Sequence, residues 1–198
     1  MNVLILGADG KIARLVEKGI ISDKAFADVK LTMFLRDKSR VDDLLSEQSI
    51  AVSGDVMDVR SLNDAMEDQD IVFDLTEIFN SLQGTKNIIE SMQGNGVIRG
   101  ISLNQLGALN KDSTIGLQRA EAYEKSELDY TFLRLATLND NTEGSYTLMD
   151  KGKSIKGDTV SRQSVANIIL QIIDDPAFLS KSNVGVSEPK LSGNIVVI

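Results

Sequence analysis

The sequence predicts a doubly wound α/β sandwich, a three-layer α/β/α arrangement in which helices cover both faces of a parallel sheet. Short apolar runs alternate with amphipathic segments, and this alternation is typical of parallel sheets. Residues 3–6 are apolar without interruption, as expected for a strand buried from both sides. The chain of 198 residues contains no Pro-rich linker, repeat or low-complexity stretch, which favours one domain over residues 1–198.

The apolar runs and amphipathic segments place the elements in order. Strands are predicted at 2–7, 29–35, 50–53, 70–75, 97–103 and 130–135. Helices are predicted near 10–20, 39–47, 61–67, 81–94, 113–127 and 163–174. The last helix has an apolar face and ends before Pro176. A late strand is predicted in 183–187 or 194–198, without an assigned partner.

Composition excludes several functions. The chain has no Cys and no His, which excludes disulfides, thiolate catalysis, Ser-His-Asp triads and Cys- or His-ligated metals, so no metal site is predicted. The net charge of −8 argues against a nucleic-acid partner. No apolar run is long enough to span a bilayer and the N-terminus lacks a basic segment, so we expect a cytoplasmic protein without a membrane partner or signal peptide.

The turn after the first strand, residues 7–13 (GADGKIA), has the spacing G-x-x-G-x-x-A. Gly7 allows a tight turn, Gly10 lets the backbone approach a pyrophosphate, and Ala13 permits close helix-on-strand packing. Because the motif sits at the first strand-to-helix turn, we favour a Rossmann-type dinucleotide site over a plain turn. The residues of this turn assigned to cofactor binding are Gly7, Asp9, Gly10, Lys11 and Ile12.

The end of the second strand indicates which cofactor is preferred. An acidic residue there would bind the ribose 2′-hydroxyl of NAD, whereas this strand ends in Arg36, whose guanidinium suits the 2′-phosphate of NADP. Arg40 lies one helical turn further on. We therefore predict NADP(H), with NAD less favoured. The alternative is that both arginines only solvate the turn, and the neighbouring Asp37 weighs against NADP.

Several motifs together resemble the atypical short-chain dehydrogenase/reductases, most closely their NAD(P)H-binding, NmrA-like and flavin-reductase-like branch. They are the glycine turn and the segments 35–36 (LR), 54–56 (GDV), 128–134 (LDYTFLR) and 158–166 (DTVSRQSVA). The resemblance covers nearly the whole chain. One departure is that the family usually reads Arg-Pro where this chain has Arg134-Leu135.

The resemblance implies further cofactor contacts. By position in the motif, Asp55 and Val56 would lie against the adenine, and Leu75 and Thr76 beside the ribose and nicotinamide. Leu103 and Ala136 complete the implied set, the latter in a loop (135–137) that approaches the nicotinamide. Two residues also have structural interpretations: Asp55 can cap a turn, and Ser161 is better explained as the cap of helix 163–174.

The fifth strand departs from the family pattern, which expects a strand ending in two serines and, shortly afterwards, a tyrosine. Here Asn104 and Gln105 occupy the serine positions and Leu109 the tyrosine position, while Ser102 belongs to the strand body. Amides donate hydrogen bonds but do not transfer protons. Asn104 and Gln105 are therefore candidate substrate-orienting groups, and no catalytic residue is identified.

A Tyr-x-x-x-Lys pair is also missing. Tyr123 is followed four residues later by Glu127, and Lys125 lies only two residues away, on another helix face. We interpret Tyr123 as a structural residue. A dehydrogenase or epimerase that uses such a pair is the least favoured function.

Two functions remain. The first is an NADP(H)-dependent reductase that acts on a flavin, quinone or similar planar acceptor without a Tyr/Lys proton relay, as the resemblance permits. The second is a non-catalytic, NmrA-like sensor of NADP(H) that binds a regulatory protein partner. The sequence gives no oligomeric state.

Overall fold

The computed structural model describes residues 1–76, 82–106 and 113–189. Its strands are β1 (Asn2–Leu6), β2 (Lys30–Leu35), β3 (Ser49–Ser53), β4 (Ile71–Asp74), β5 (Arg99–Gln105), β6 (Asp129–Leu135), β7 (Thr137–Asn139), β8 (Thr147–Asp150), β9 (Thr159–Ser161) and β10 (Ser182–Ser187). Its α-helices are α1 (Lys11–Ser22), α2 (Val59–Met66), α3 (Leu82–Gly94), α4 (Thr114–Lys125) and α5 (Arg162–Asp174). Two 3-10 helices cover Lys24–Phe26 and Lys38–Leu44.

The main sheet has eight strands in the order β3-β2-β1-β4-β5-β6-β10-β8. All neighbouring pairs are parallel except β10 and β8, which are antiparallel. A small parallel pair, β7 and β9, lies outside this sheet. Successive strands are added on one side of β1 up to β3 and on the other side from β4 onward, so the strand order reverses between β1 and β4. Open α/β sheets bind their ligands in the crevice at such a point.

Successive apolar side chains of the buried strands point to alternate faces of the sheet, so each face has a core. Val3 and Ile5 face a core completed by α1 and α5, whereas Leu4 and Leu6 face one completed by α2, α3 and α4. Each face thus has its own helical layer because successive side chains of a strand point to opposite sides. The predicted doubly wound, three-layer fold is confirmed.

The structure corrects two predicted elements and confirms the late strand. The helix predicted at 39–47 is a 3-10 segment that contains one residue with non-helical backbone angles, Val41. Its two buried residues, Val41 and Leu44, are three positions apart, which is the repeat of a 3-10 helix. β5 continues two residues beyond the predicted 97–103. The late strand at 183–187 exists as β10, beside β6, whereas 194–198 lies outside the described residues.

No helix within the described ranges has the length and apolar character needed to cross a bilayer.

Candidate functional site

The glycine turn adopts a backbone that only glycine accommodates without strain. Gly7 has a φ of +78°, and a Cβ placed on it would lie 3.0 Å from both the carbonyl oxygen of Leu75 and the Cα of Thr76. Its N–H donates to the carbonyl oxygen of Phe34 (2.9 Å), which fixes the turn against β2. The turn therefore lies close against the ends of β2 and β4.

Helix α1 begins immediately after this turn with an uncapped N-terminus. Gly10 is the N-cap and contributes no side-chain hydrogen bond. The first intrahelical bond runs from the N–H of Arg14 to the carbonyl oxygen of Gly10 (2.9 Å). The preceding amides, those of Lys11, Ile12 and Ala13, have no partner among the described residues and are directed out of the helix end, as pyrophosphate binding requires.

A cleft opens at the carboxyl ends of β1, β4 and β5, beside the start of α1. Among the described residues it is lined by Gly10, Lys11, Ile12, Ala13, Leu75, Thr76, Leu103, Gln105, Arg119, Leu135, Leu138 and Arg162. Six of the predicted cofactor residues, Gly10, Lys11, Ile12, Leu75, Thr76 and Leu103, thus lie together. The turn, the uncapped helix and the apolar walls fit a dinucleotide whose nicotinamide half enters the cleft.

The predicted 2′-phosphate group lies at the end of β2. Arg36 is exposed and makes no hydrogen bond or ion pair with other described residues. Arg40 forms an ion pair with Asp9 of the glycine turn. Asp37 caps the segment Lys38–Leu44 by accepting from the backbone N–H and hydroxyl of Ser39, and these hydrogen bonds lower the pKa of its carboxyl. These hydrogen bonds hold the Asp37 carboxylate in its capping position, next to Arg36 in the chain.

The two residues predicted at the adenine differ in exposure. Asp55 is exposed beyond β3 and its carboxylate accepts from the N–H of Met57 (2.9 Å), so it does cap a turn. Val56 is buried in the core formed with α2 and α3, and its carbonyl oxygen accepts from the side-chain amide of Asn87 (3.0 Å). Adenine binding by either residue stays a prediction.

Ala136 is fully buried and its N–H donates to the carbonyl oxygen of Val186 (3.0 Å). Its neighbour Leu135, from the same implied nicotinamide loop, lies in the cleft lining instead. Ser161 caps α5 as predicted, since its hydroxyl accepts from the N–H of Ser164 (2.9 Å).

The two predicted substrate-orienting amides point to opposite faces of the sheet, because β5 extends through both. Gln105 is exposed and lines the cleft. Asn104 is only 4% exposed, and its side chain packs against Gly116 of α4, where an added Cβ would lie 2.4 Å from the amide nitrogen. Leu109, at the tyrosine position, lies outside the described residues.

A buried polar network lies behind the cleft and was not predicted. Asp74 at the end of β4 accepts from Arg119 Nη2 (3.0 Å) and from the hydroxyl of Ser102 (2.9 Å). Tyr123 is 1% exposed, and its hydroxyl lies 3.5 Å from the same carboxylate oxygen. Burial raises the pKa of Tyr123 well above its usual value, with the charge of Asp74 adding to the shift, so the phenol stays protonated.

Lys125, the lysine nearest to Tyr123 in sequence, pairs with Glu121 on the surface of α4. Tyr146 donates to Gln171 of α5 (2.8 Å). No tyrosine belongs to the described lining of the cleft. The described residues thus place no Tyr/Lys pair at the cleft.

Two cations flank the mouth of the cleft, Lys11 exposed and Arg162 half-buried. They lie at the starts of α1 and α5, and both form ion pairs with the carboxylate of Asp140. Lys11 Nζ lies 3.3 Å from Oδ2, and Arg162 Nη1 lies 2.7 Å from Oδ1. This shared carboxylate links the loop after β7 to the glycine turn. The hydrogen bonds from both cations lower the pKa of Asp140.

Three lining residues were missed by the sequence reasoning: Arg119, Leu138 and Arg162. A signal existed for Arg162, which belongs to the Ser-Arg-x-Ser motif. Arg119 precedes Tyr123 by one helical turn, so a polar pair on one face of α4 was visible. Leu138 was not singled out, but it lies in 136–150, one of the loop regions from which the sequence predicts the acceptor pocket to be built.

Comparison with known proteins agrees with this geometry. The family model described as NAD(P)H-binding matches residues 7–176. A Rossmann-fold NAD(P)-binding family protein from Shigella flexneri is 34% identical, with a TM-score of 0.88 over 100% of this chain and 98% of that one. No protein with a curated description matches the sequence.

Two more distant structures share the fold. A short-chain dehydrogenase/reductase from Veillonella parvula in complex with NADP is 22% identical, with a TM-score of 0.80 over 96% of this chain and 95% of that one. The anaerobillin reductase ChuY from Escherichia coli O157:H7 is 18% identical, with a TM-score of 0.82 over 98% of this chain and 100% of that one. The chain belongs to the NAD(P)H-binding family of Rossmann-fold proteins.

Proposed function

We propose that the protein is an NADPH-dependent reductase that transfers a hydride to a flavin, a quinone or a similar planar acceptor. The observation that carries this proposal is the cleft itself. It joins the uncapped start of α1 to apolar side chains such as Leu103 and Leu138, and its described lining contains no Tyr, Asp or Glu. Hydride transfer between stacked planar rings needs positioning more than a protein acid.

Preference for NADPH is proposed from Arg36, which is exposed at the end of β2 without a partner among the described residues. A forked guanidinium suits a phosphate, and Arg40 lies within reach of the same turn through its pair with Asp9. The composition further favours a cytoplasmic setting, where NADPH is available.

The experiment is a turnover assay with purified protein. NADPH or NADH is mixed with FMN, riboflavin, menadione or anaerobillin, the last because the similar E. coli structure is an anaerobillin reductase. We expect loss of the nicotinamide absorbance band above protein-free and acceptor-free controls, faster with NADPH. Rates equal to the protein-free control for every acceptor would exclude the reductase.

A second candidate, a non-catalytic NADP(H) sensor with a regulatory protein partner, is favoured by the burial of Tyr123 away from the cleft. It predicts NADPH binding in calorimetry, no turnover with any acceptor, and a partner whose capture depends on the dinucleotide. Absence of nucleotide binding would exclude both candidates.

A further inference from the structure

The described lining of the cleft contains one cation that is almost wholly buried. Arg119 of α4 is 2% exposed, whereas Lys11 and Arg162 lie nearer the surface. A buried charge is costly unless its environment compensates it. The compensation comes from Asp74, which is equally buried and lies 3.0 Å away.

The guanidinium of Arg119 is fixed on several sides. Nε donates to the hydroxyl of Thr85 (2.9 Å), and Nη1 to the carbonyl oxygen of Leu103 (3.1 Å). Nη2 donates to the carboxylate of Asp74 and to the hydroxyl of Ser102, each at a distance of 3.0 Å. These acceptors belong to α3, β4 and β5, so the charge is held in place before any ligand arrives. Fixed charges stabilise a transition state without the cost of reorganisation.

The ion pair is also oriented. Arg119 contributes to the described lining of the cleft, whereas Asp74 does not and is 1% exposed. Arg119 is therefore the member of the pair nearer to the cleft. Away from bulk water the field of this ion pair, positive on the side of Arg119, is only weakly screened.

The proposed reaction generates a charge that this cation would stabilise. A reduced nicotinamide supplies a hydride, one hydrogen nucleus with two electrons. The acceptor that takes the hydride is reduced by two electrons and gains one negative charge, which it loses when it takes a proton from solvent. Since the described lining has no Tyr, Asp or Glu to deliver that proton, the negative charge exists during the transfer.

We infer that Arg119 is a catalytic residue that stabilises the negative charge developing on the acceptor. The acceptors that fit are conjugated systems that spread such a charge over several atoms, as flavins and quinones do. This inference rests on the proposed reductase function and names the group that replaces a proton relay.

The first test measures single-turnover hydride transfer from NADPH to the acceptor that turns over fastest in the panel. Arg119→Gln is expected to slow transfer about 10²-fold while the dissociation constant of NADPH stays within twofold. Arg119→Lys, which keeps the charge, is expected to retain most of the rate. If Arg119→Gln does not fold, Asp74→Asn/Arg119→Gln, which removes both charges, is measured instead.

Arg99→Gln is the matched control. Arg99 is 4% exposed at the opposite end of β5, where it donates to the hydroxyl of Thr131 and to the carbonyl oxygens of Pro176 and Phe178. Its replacement disturbs a comparable buried network far from the cleft, so the transfer rate should be unchanged. Equal losses for the Arg99 and Arg119 variants would mean that Arg119 is only structural.

The second test needs no nicotinamide. The dissociation constants of the same acceptor are measured in its oxidised and its reduced, anionic forms under anaerobic conditions. Wild-type protein should bind the reduced form about tenfold more tightly, and the Gln variant should lose this difference. A wild-type ratio near one overturns the inference even when turnover is observed. Absence of turnover with every acceptor overturns both the inference and the reductase function.

Discussion

Arg119 and Asp74 form an ion pair in which Nη2 and Oδ2 lie 3.0 Å apart and at most 2% of either side chain is exposed. The two residues come from α4 and from the end of β4, on the side of the sheet covered by α3 and α4. Such pairs often stabilise a fold less than an apolar contact of the same volume. Its position behind the cleft fits a role in the site better than a role in stability.

Removing one partner of this pair should lower the free energy of unfolding more than removing both. Arg119→Gln leaves the Asp74 carboxylate buried without its cation, and we expect a loss of about 3–5 kcal/mol in the free energy of unfolding. Asp74→Asn/Arg119→Gln should recover much of that loss. Urea denaturation of the two single variants and the double variant measures the coupling. Strictly additive losses would contradict the ion pair.

The glycine turn can be tested against a second glycine of similar backbone geometry. Gly7 and Gly96 have φ values of +78° and +73°, but only at Gly7 would a Cβ contact described atoms, those of Leu75 and Thr76. Gly96→Ala should cost about 1 kcal/mol of stability and leave NADPH binding unchanged. Gly7→Ala should cost more and weaken NADPH binding. Urea denaturation and calorimetry measure both, and equal affinities for NADPH would contradict the placement of the phosphate turn.

Local patterns were sufficient to predict the fold and the position of the glycine turn. The apolar runs of the central strands and the G-x-x-G-x-x-A spacing each lie within a few consecutive residues, so they are visible without knowledge of tertiary contacts. β7, β8 and β9 were not predicted because they have three or four residues each, and their pairing depends on neighbours brought together by the fold.

The interior of the site depends on contacts that are distant in sequence. Arg119 bonds to Asp74, 45 residues earlier, and neither residue has a local pattern that indicates the other. Asn104 and Gln105 form one pair of site residues only if the strand ends at residue 103, as the sequence predicts. Two further residues of β5 place their side chains on opposite faces of the sheet.

Arg36 should determine the preference between the two nicotinamide dinucleotides. Arg36→Ala removes the proposed charge-assisted contact with the 2′-phosphate, so the dissociation constant of NADPH should rise about 10- to 100-fold. NADH, which lacks that phosphate, should bind as before. Lys24→Ala, at an exposed lysine beyond the far end of α1, is the control for charge alone. Equal effects on NADPH and NADH would exclude a role in 2′-phosphate recognition.

Of the two amide residues of β5, Asn104 should affect stability and Gln105 should affect binding of the acceptor. Asn104→Ala removes a buried polar side chain, and we expect a loss of about 1–3 kcal/mol in the free energy of unfolding. Gln105→Ala, in the cleft, should change stability by no more than about 0.5 kcal/mol. It should instead alter the KM for the acceptor. An unchanged KM would remove Gln105 from the candidate substrate-orienting groups.

Glu17 of α1 should make the fold less stable as pH rises. The carboxyl is fully buried, and neither oxygen has a hydrogen-bond partner among the described residues. Burial raises the pKa of Glu17 from 4.5 to about 8, and the negative charges of Asp43 and Asp9 add to the shift while Arg14 opposes it. The native state therefore keeps a proton that the unfolded chain releases above pH 4.5.

Because the native state binds more protons between pH 4.5 and 8, the free energy of unfolding should decrease across that window and level off above it. Glu17→Gln, which cannot ionise, should match the wild type near pH 5. At pH 9 it should be more stable than the wild type, by on the order of 4 kcal/mol. Urea denaturation at pH 5, 7 and 9 measures the difference. Glu90→Gln, at an exposed position on α3, is the control for the substitution itself. A pH-independent difference between Glu17→Gln and the wild type would mean that Glu17 is already ionised in the native state at neutral pH.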